Sequence, residues 1–155
     1  MSRPRPDRLR AGEFAAPKAR PAPSSAAPSD PRARRLAERR GRWAEGVAVL
    51  LLLATGWRVV ARRHGRAGGR SGRAGEADII ARRGRLVAIV EVKARRNLAD
   101  ALDAVAWCRV EAAGDDWLAR RPDATALSVR YDLIWVPTPL RPWRPPKRVA
   151  GAWHP

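Results

Sequence analysis

The chain has 155 residues, with 32 Lys and Arg against 15 Asp and Glu, a net charge of +17 and a pI near 11.8. That length fits one domain with one modest core, and the charge points to a polyanionic partner, nucleic acid ahead of an anionic membrane surface. A lone Cys108 excludes an internal disulfide and fits a reducing, cytoplasmic setting, and with only His64 and His154 beside it the composition argues against a structural zinc site and against a Cys-His catalytic pair.

Residues 1–40 are rich in Pro, Arg, Ala and Ser and nearly devoid of large apolar side chains. Such a stretch buries too little surface to offset its ordering entropy, so it reads as a disordered basic arm. The predicted domain spans 41–136, followed by a Pro-, Trp- and Arg-rich tail over 137–155. Gly41 to Gly56 predicts a core helix around the run Val47 to Ala54, with Glu45 in its first turn facing the site and Gly56 as its stop. A signal or membrane segment is the competing reading. The apolar run, however, is about half of the roughly 18 residues a span needs, and no small-residue cleavage site follows.

Trp57 to Ala61 alternates as a strand. From Arg62 to Gly75 six basic side chains (Arg62, Arg63, His64, Arg66, Arg70 and Arg73) interleave with five glycines. Without a Gly-Lys-Ser/Thr ending this is no Walker loop. Two readings stand side by side: a cationic loop tracking a nucleic-acid backbone, and a solvated loop.

Gly75 to Lys93 predicts two short strands turning at Arg83-Gly84. That turn would set Arg82 opposite Arg85, Ile80 opposite Val87 and Asp78 opposite Ile89. Glu76, Asp78, Ile89, Glu91 and Lys93 then share a face, with Glu91 diagonal to Asp78. Acids at the rim of a buried hairpin are costly unless something uses them. Oxygen ligands suit Mg²⁺ or Mn²⁺, and the Val92 carbonyl could add another. Lys93 could steer or deprotonate a water and offset charge on a phosphate. It is one of three lysines in an arginine-rich chain, and Lys, unlike Arg, can lose its proton. The bland counterpart is a surface hairpin with a solvated Glu-Lys pair.

Arg95 and Arg96 follow and could meet phosphate. Asn97 predicts a capped helix from Leu98 to about Arg120, with a break near Trp107 or Gly114 and Cys108 as a small core residue. Leu127 to Val136 predicts a strand ended by Pro137. Its Asp132 could pair with an arginine or support the site. In the tail, Trp143 and Trp153 suit stacking on unpaired bases or anchoring to the core.

Glu45, Gly75-Glu76-x-Asp78 and Glu91-Val92-Lys93, with Gly56-Trp57 and Arg130-Tyr131-Asp132-Leu133, resemble the YraN family of the restriction-endonuclease-like superfamily. The resemblance covers about residues 40 to 153. It implies an α/β fold, a mixed sheet flanked by helices. It further implies a metal-dependent endonuclease acting on DNA, with Asp78 and Glu91 as metal ligands, Lys93 as the catalytic lysine and Glu45 as an accessory acid. The region Ala106 to Glu111 is shorter and less basic than the family pattern, which keeps a non-catalytic nucleic-acid-binding protein on the same fold as the alternative.

Overall fold

The computed structural model describes residues 30–65 and 75–155. The elements are α1 (Pro31–Ala54), β1 (Arg58–His64), β2 (Ala77–Arg83), β3 (Leu86–Arg95), α2 (Leu98–Asp103), α3 (Trp107–Ala119), β4 (Ser128–Pro137) and β5 (Lys147–Trp153). The strands form one mixed sheet in the order β1-β2-β3-β4-β5, parallel between β3 and β4 and antiparallel elsewhere. The α/β expectation holds. No described helix is long and apolar enough to cross a membrane.

α1 starts ten residues before the predicted Gly41. Asp30 caps it by accepting the Arg32 N–H at 2.9 Å, and Pro31 occupies the first turn. Residues 31–40, read from sequence as part of the arm, are thus helical. They are mainly Arg, Ala, Leu and Glu, strong helix formers that need no apolar face to continue a helix nucleated by packing further along. Residues 1–29 of that arm lie outside the described residues.

Alternation along β2 and β3 divides the core in two. Ile79, Ala81, Ala88 and Val90 face α1, through Ala44, Ala48 and Leu52. Ile80, Val87 and Ile89 face α3, through Val110, Ala113 and Trp117. Both faces of these central strands are therefore covered, as their unbroken apolar runs require.

The β2–β3 turn differs from the expectation by one position. It is Gly84-Arg85, closing Arg83 opposite Leu86, with Gly84 at φ +61. Only glycine adopts that conformation cheaply, which is why the turn centres there. The ladder pairs Ile80 with Ile89 and Ile79 with Val90. Each partner is displaced by two residues from the predicted one, and a two-residue displacement leaves every side chain on its predicted face.

The helical region breaks into α2 and α3 at Ala104–Ala106, next to Trp107 as expected, and α3 runs on through Gly114. Cys108 is exposed on the first turn of α3, and is no core residue. The tail forms β5 along β4, with Trp153 stacked on Trp107 at 6.1 Å.

Candidate metal and phosphate site

The acids meet where β2 and β3 part. Continuing the register one step beyond Ile79–Val90 sets Asp78 directly opposite Glu91 rather than diagonal to it. Opposed residues have Cβ atoms about 4.5–5.5 Å apart. Asp78 Oδ2 accepts the Val92 N–H at 2.8 Å, so the side chain of β2 takes over where its backbone has left the ladder. In an extended strand the carbonyl of a residue points the same way as its N–H. The Val92 carbonyl is therefore directed toward the same gap.

Glu45, Glu76, Asp78, Glu91, Val92 and Lys93 all line one groove of about 330 Å³. α1 walls one side and the start of α3 the other. The Lys93 amine donates to Glu91 Oε1 at 2.6 Å. Both side chains are largely buried, 21% and 12% exposed, so the pair is shielded from solvent screening.

Burial pushes Asp78 up to about 7, and the charge of Glu91 adds to the rise; the Val92 N–H and Lys93 oppose it. An acid raised in this way relieves its repulsion by taking a proton or sharing a cation. The donors are hard oxygens, as Mg²⁺ and Mn²⁺ prefer. Among the described residues no three His, Cys, Asp or Glu side chains form a closed metal cage. Two carboxylates with the remaining positions left to water, backbone and phosphate match how Mg²⁺ is commonly held. Asp78, Glu91 and the Val92 carbonyl thus fit an open divalent site.

The flanking acids are clasped by arginines. Glu45, 5% exposed, accepts Arg63 Nε at 2.8 Å and Nη2 at 3.1 Å, with Arg62 at 3.9 Å. Arg63 sits at φ +52, a left-handed conformation costly for a residue with a Cβ. The bidentate pair on buried Glu45 holds it there. Glu76 is tied twice to Arg109 of α3: its N–H donates to the Arg109 carbonyl at 3.0 Å, and Arg109 Nη2 donates to Glu76 Oε2 at 3.2 Å. Gly75 makes this approach feasible, since a Cβ there would lie 2.1 Å from the Arg109 carbonyl oxygen. Neither Arg63 nor Arg109 is marked by its local sequence as a partner of these acids. Arg109 carries a weak sequence signal in its place just after the helix break.

The remaining candidates divide. Arg95 and Arg96 are exposed at the end of β3, beside the groove. Arg66, Arg70 and Arg73 lie outside the described residues. Asp132 stands apart: it is level with Val90 on the α1 face and is fully buried. It accepts Arg130 Nε at 2.8 Å, Arg148 Nε at 2.9 Å and the Gly151 N–H at 2.9 Å. Arg148 and Arg130 in turn lie over the Trp57 ring, at 4.0 and 5.6 Å.

A family model described as "Uncharacterised protein family UPF0102" matches residues 44–136, from just before Glu45 through most of β4. A UPF0102 protein of Paramagnetospirillum magneticum is 43% identical over 134 residues, covering 84% of this chain and 98% of the relative. One of Mesorhizobium japonicum is 44% identical, covering 78% and 91%. A third, of Rhizobium meliloti, is 48% identical, covering 74% and 88%.

Proposed function

The chain belongs to the UPF0102 (YraN) family, and from the chemistry of its groove we propose that it is a metal-dependent endonuclease hydrolysing phosphodiester bonds in DNA. The observation that carries this reading is the meeting of Asp78, Glu91 and Lys93 on one face, with Asp78 raised to about 7 by burial and by Glu91. Groups perturbed in this way inside a cleft gather where chemistry is done.

A divalent cation on Asp78, Glu91 and the Val92 carbonyl supplies Lewis acidity toward a phosphoryl oxygen. The chain's own residues do the rest. Lys93 exchanges its hydrogen bond to Glu91 for one to the attacking water or to a phosphate oxygen, orienting the first and offsetting charge on the second. The oxygen of water joins phosphorus and gives up a proton to solvent, the bond to the leaving ester oxygen breaks, and that oxygen takes a proton from solvent. Glu45, held by Arg63, keeps a fixed negative charge behind the acids and anchors α1 across the groove. Arg62, Arg95 and Arg96 supply phosphate contacts that position the strand.

Purified protein is expected to nick plasmid DNA with Mg²⁺ or Mn²⁺ and not in EDTA. Lys93→Ala is expected to lower the rate by about 10²–10⁴ while cation binding persists, since both carboxylates remain. Cleavage independent of metal, or untouched by Lys93→Ala, would refute the assignment.

One observation favours a second reading, a nucleic-acid-binding protein without catalysis. Both oxygens of Glu45 are taken by Arg63, and Arg109 at the start of α3 is engaged by Glu76. DNA binding with no cleavage under any divalent metal would select it.

A further inference from the structure

Beyond the acidic groove, the turn between β4 and β5 carries an arrangement that a structural role does not explain. Arg141, Pro142, Trp143 and Arg144 form a tight turn, the Arg144 N–H donating to the Arg141 carbonyl at 2.9 Å. Pro142 sits at the second position, where its fixed φ rigidifies the turn. Trp143 at the tip is 74% exposed, whereas Trp153 stacks on Trp107 and Trp135 is buried. The tail tryptophans are therefore not all anchors. The Arg141 guanidinium covers one side of the Trp143 ring at 5.4 Å.

The turn reaches toward Lys93 of the groove through one intervening strand. Lys93 and Trp135 are partners in the parallel ladder, so they point to the same side, one strand apart at about 4.8 Å. Trp135 pairs in turn with Lys147, the first residue of β5. The Arg144 guanidinium lies 5.1 Å over the Trp135 ring, and the Trp135 indole donates to the Arg95 carbonyl at 2.9 Å. Lys93, Arg95, Arg144 and Trp143 therefore follow one another along the end of the sheet. No acidic residue occurs from Thr138 to Pro155, while Arg141, Arg144, Lys147 and Arg148 do.

The geometry points to a second subsite that takes an unpaired nucleotide: its base stacks on the free side of Trp143, and its flanking phosphates meet Arg141 and Arg144. A planar ring backed by a guanidinium accepts any base, and paired bases inside a duplex present no free side to it. The groove's substrate would accordingly be nucleic acid with a single-stranded segment next to the scissile bond. This substrate class rests on the nuclease reading, but the subsite is tested without it.

The test is fluorescence anisotropy of the full chain in EDTA with three labelled 15-mers: single-stranded oligo-dT, the same strand carrying abasic sites, and a blunt duplex. Oligo-dT is expected to bind about tenfold or more tighter than the abasic strand. Trp143→Ala should erase that difference, Trp143→Phe should keep most of it, and duplex affinity should not move. An unchanged melting temperature shows that the exposed substitution leaves the fold intact. Equal binding of the oligo-dT and abasic strands, or a Trp143→Ala variant that still prefers oligo-dT, overturns the proposal. So does a Trp143→Ala variant that only halves the sedimenting mass, which would make the tip a self-association contact. Metal-dependent cleavage with no effect of Trp143 would sink this subsite alone. A Trp143-dependent preference with no cleavage under any metal would support it and sink the nuclease reading.

Discussion

Asp78→Asn is expected to stabilise the metal-free protein at pH 8 while reducing cleavage at least about a hundredfold. In the folded chain burial and Glu91 raise Asp78 to about 7, against about 3.9 in an unfolded chain. A folded state that holds a proton more tightly than the unfolded one gains stability from protonation. That contribution is complete below about pH 4, is lost as pH rises through 7, and stays lost above it. At pH 8 the loss is on the order of a few kcal/mol. Asparagine can still accept the Val92 N–H, and it carries no charge to bury or to oppose Glu91. Thermal melts in EDTA should show the wild type melting lower at pH 8 than at pH 5. Much of that gap should vanish in Asp78→Asn. A wild type that melts alike at both pH values would contradict the electrostatic account of the groove.

Asp132→Ala should cost more stability than any groove substitution, about 3–5 kcal/mol. Asp132 is 0% exposed and is the shared partner of Arg130 and Arg148. Removing it strands two guanidinium groups beside Trp57 and leaves the Gly151 N–H without its acceptor. β5 is held to β4 partly through these bonds, so the loss should be global. Because Asp132 faces α1 and lines no part of the groove, the variant protein that remains folded should cleave at the wild-type rate. Chemical denaturation measures the first effect and a cleavage assay at low temperature the second. A change under about 1 kcal/mol, or an intact fold with lost cleavage, would give Asp132 a role in the site instead.

The elements that sequence revealed best were those whose side chains carry the information themselves. The short unbroken apolar runs Ile79 to Ala81 and Leu86 to Val90 mark two strands. A period of two also assigns the face of Asp78, Glu91 and Lys93 once the parity of the turn is right. The turn itself was displaced because both Arg83-Gly84 and Gly84-Arg85 contain the glycine, and only tertiary pairing selects between them. Asn97 announced α2, and its Oδ1 does accept the Asp100 N–H at 2.8 Å.

What escaped the sequence depends on long-range partners. β5 has little apolar alternation, and its pairing with β4 relies on Asp132 bonds spanning 16 and 19 residues. The Arg63–Glu45 pair joins residues 18 apart through a left-handed backbone at Arg63, which no local pattern encodes. Arg66, Arg70 and Arg73, expected to contact nucleic acid, fall outside the described residues.

The most direct measurement is calorimetric titration of Mg²⁺ and Mn²⁺ into wild type and Glu91→Gln, at pH 6 and pH 8 and without nucleic acid. Saturable binding is expected in the wild type, stronger at pH 8 because at pH 6 the cation must displace the Asp78 proton. Glu91→Gln should weaken it about tenfold or more, since a site of two carboxylates loses half its charge. A wild type that binds neither cation, or a Glu91→Gln variant that binds both as tightly, would contradict the metal site at its root.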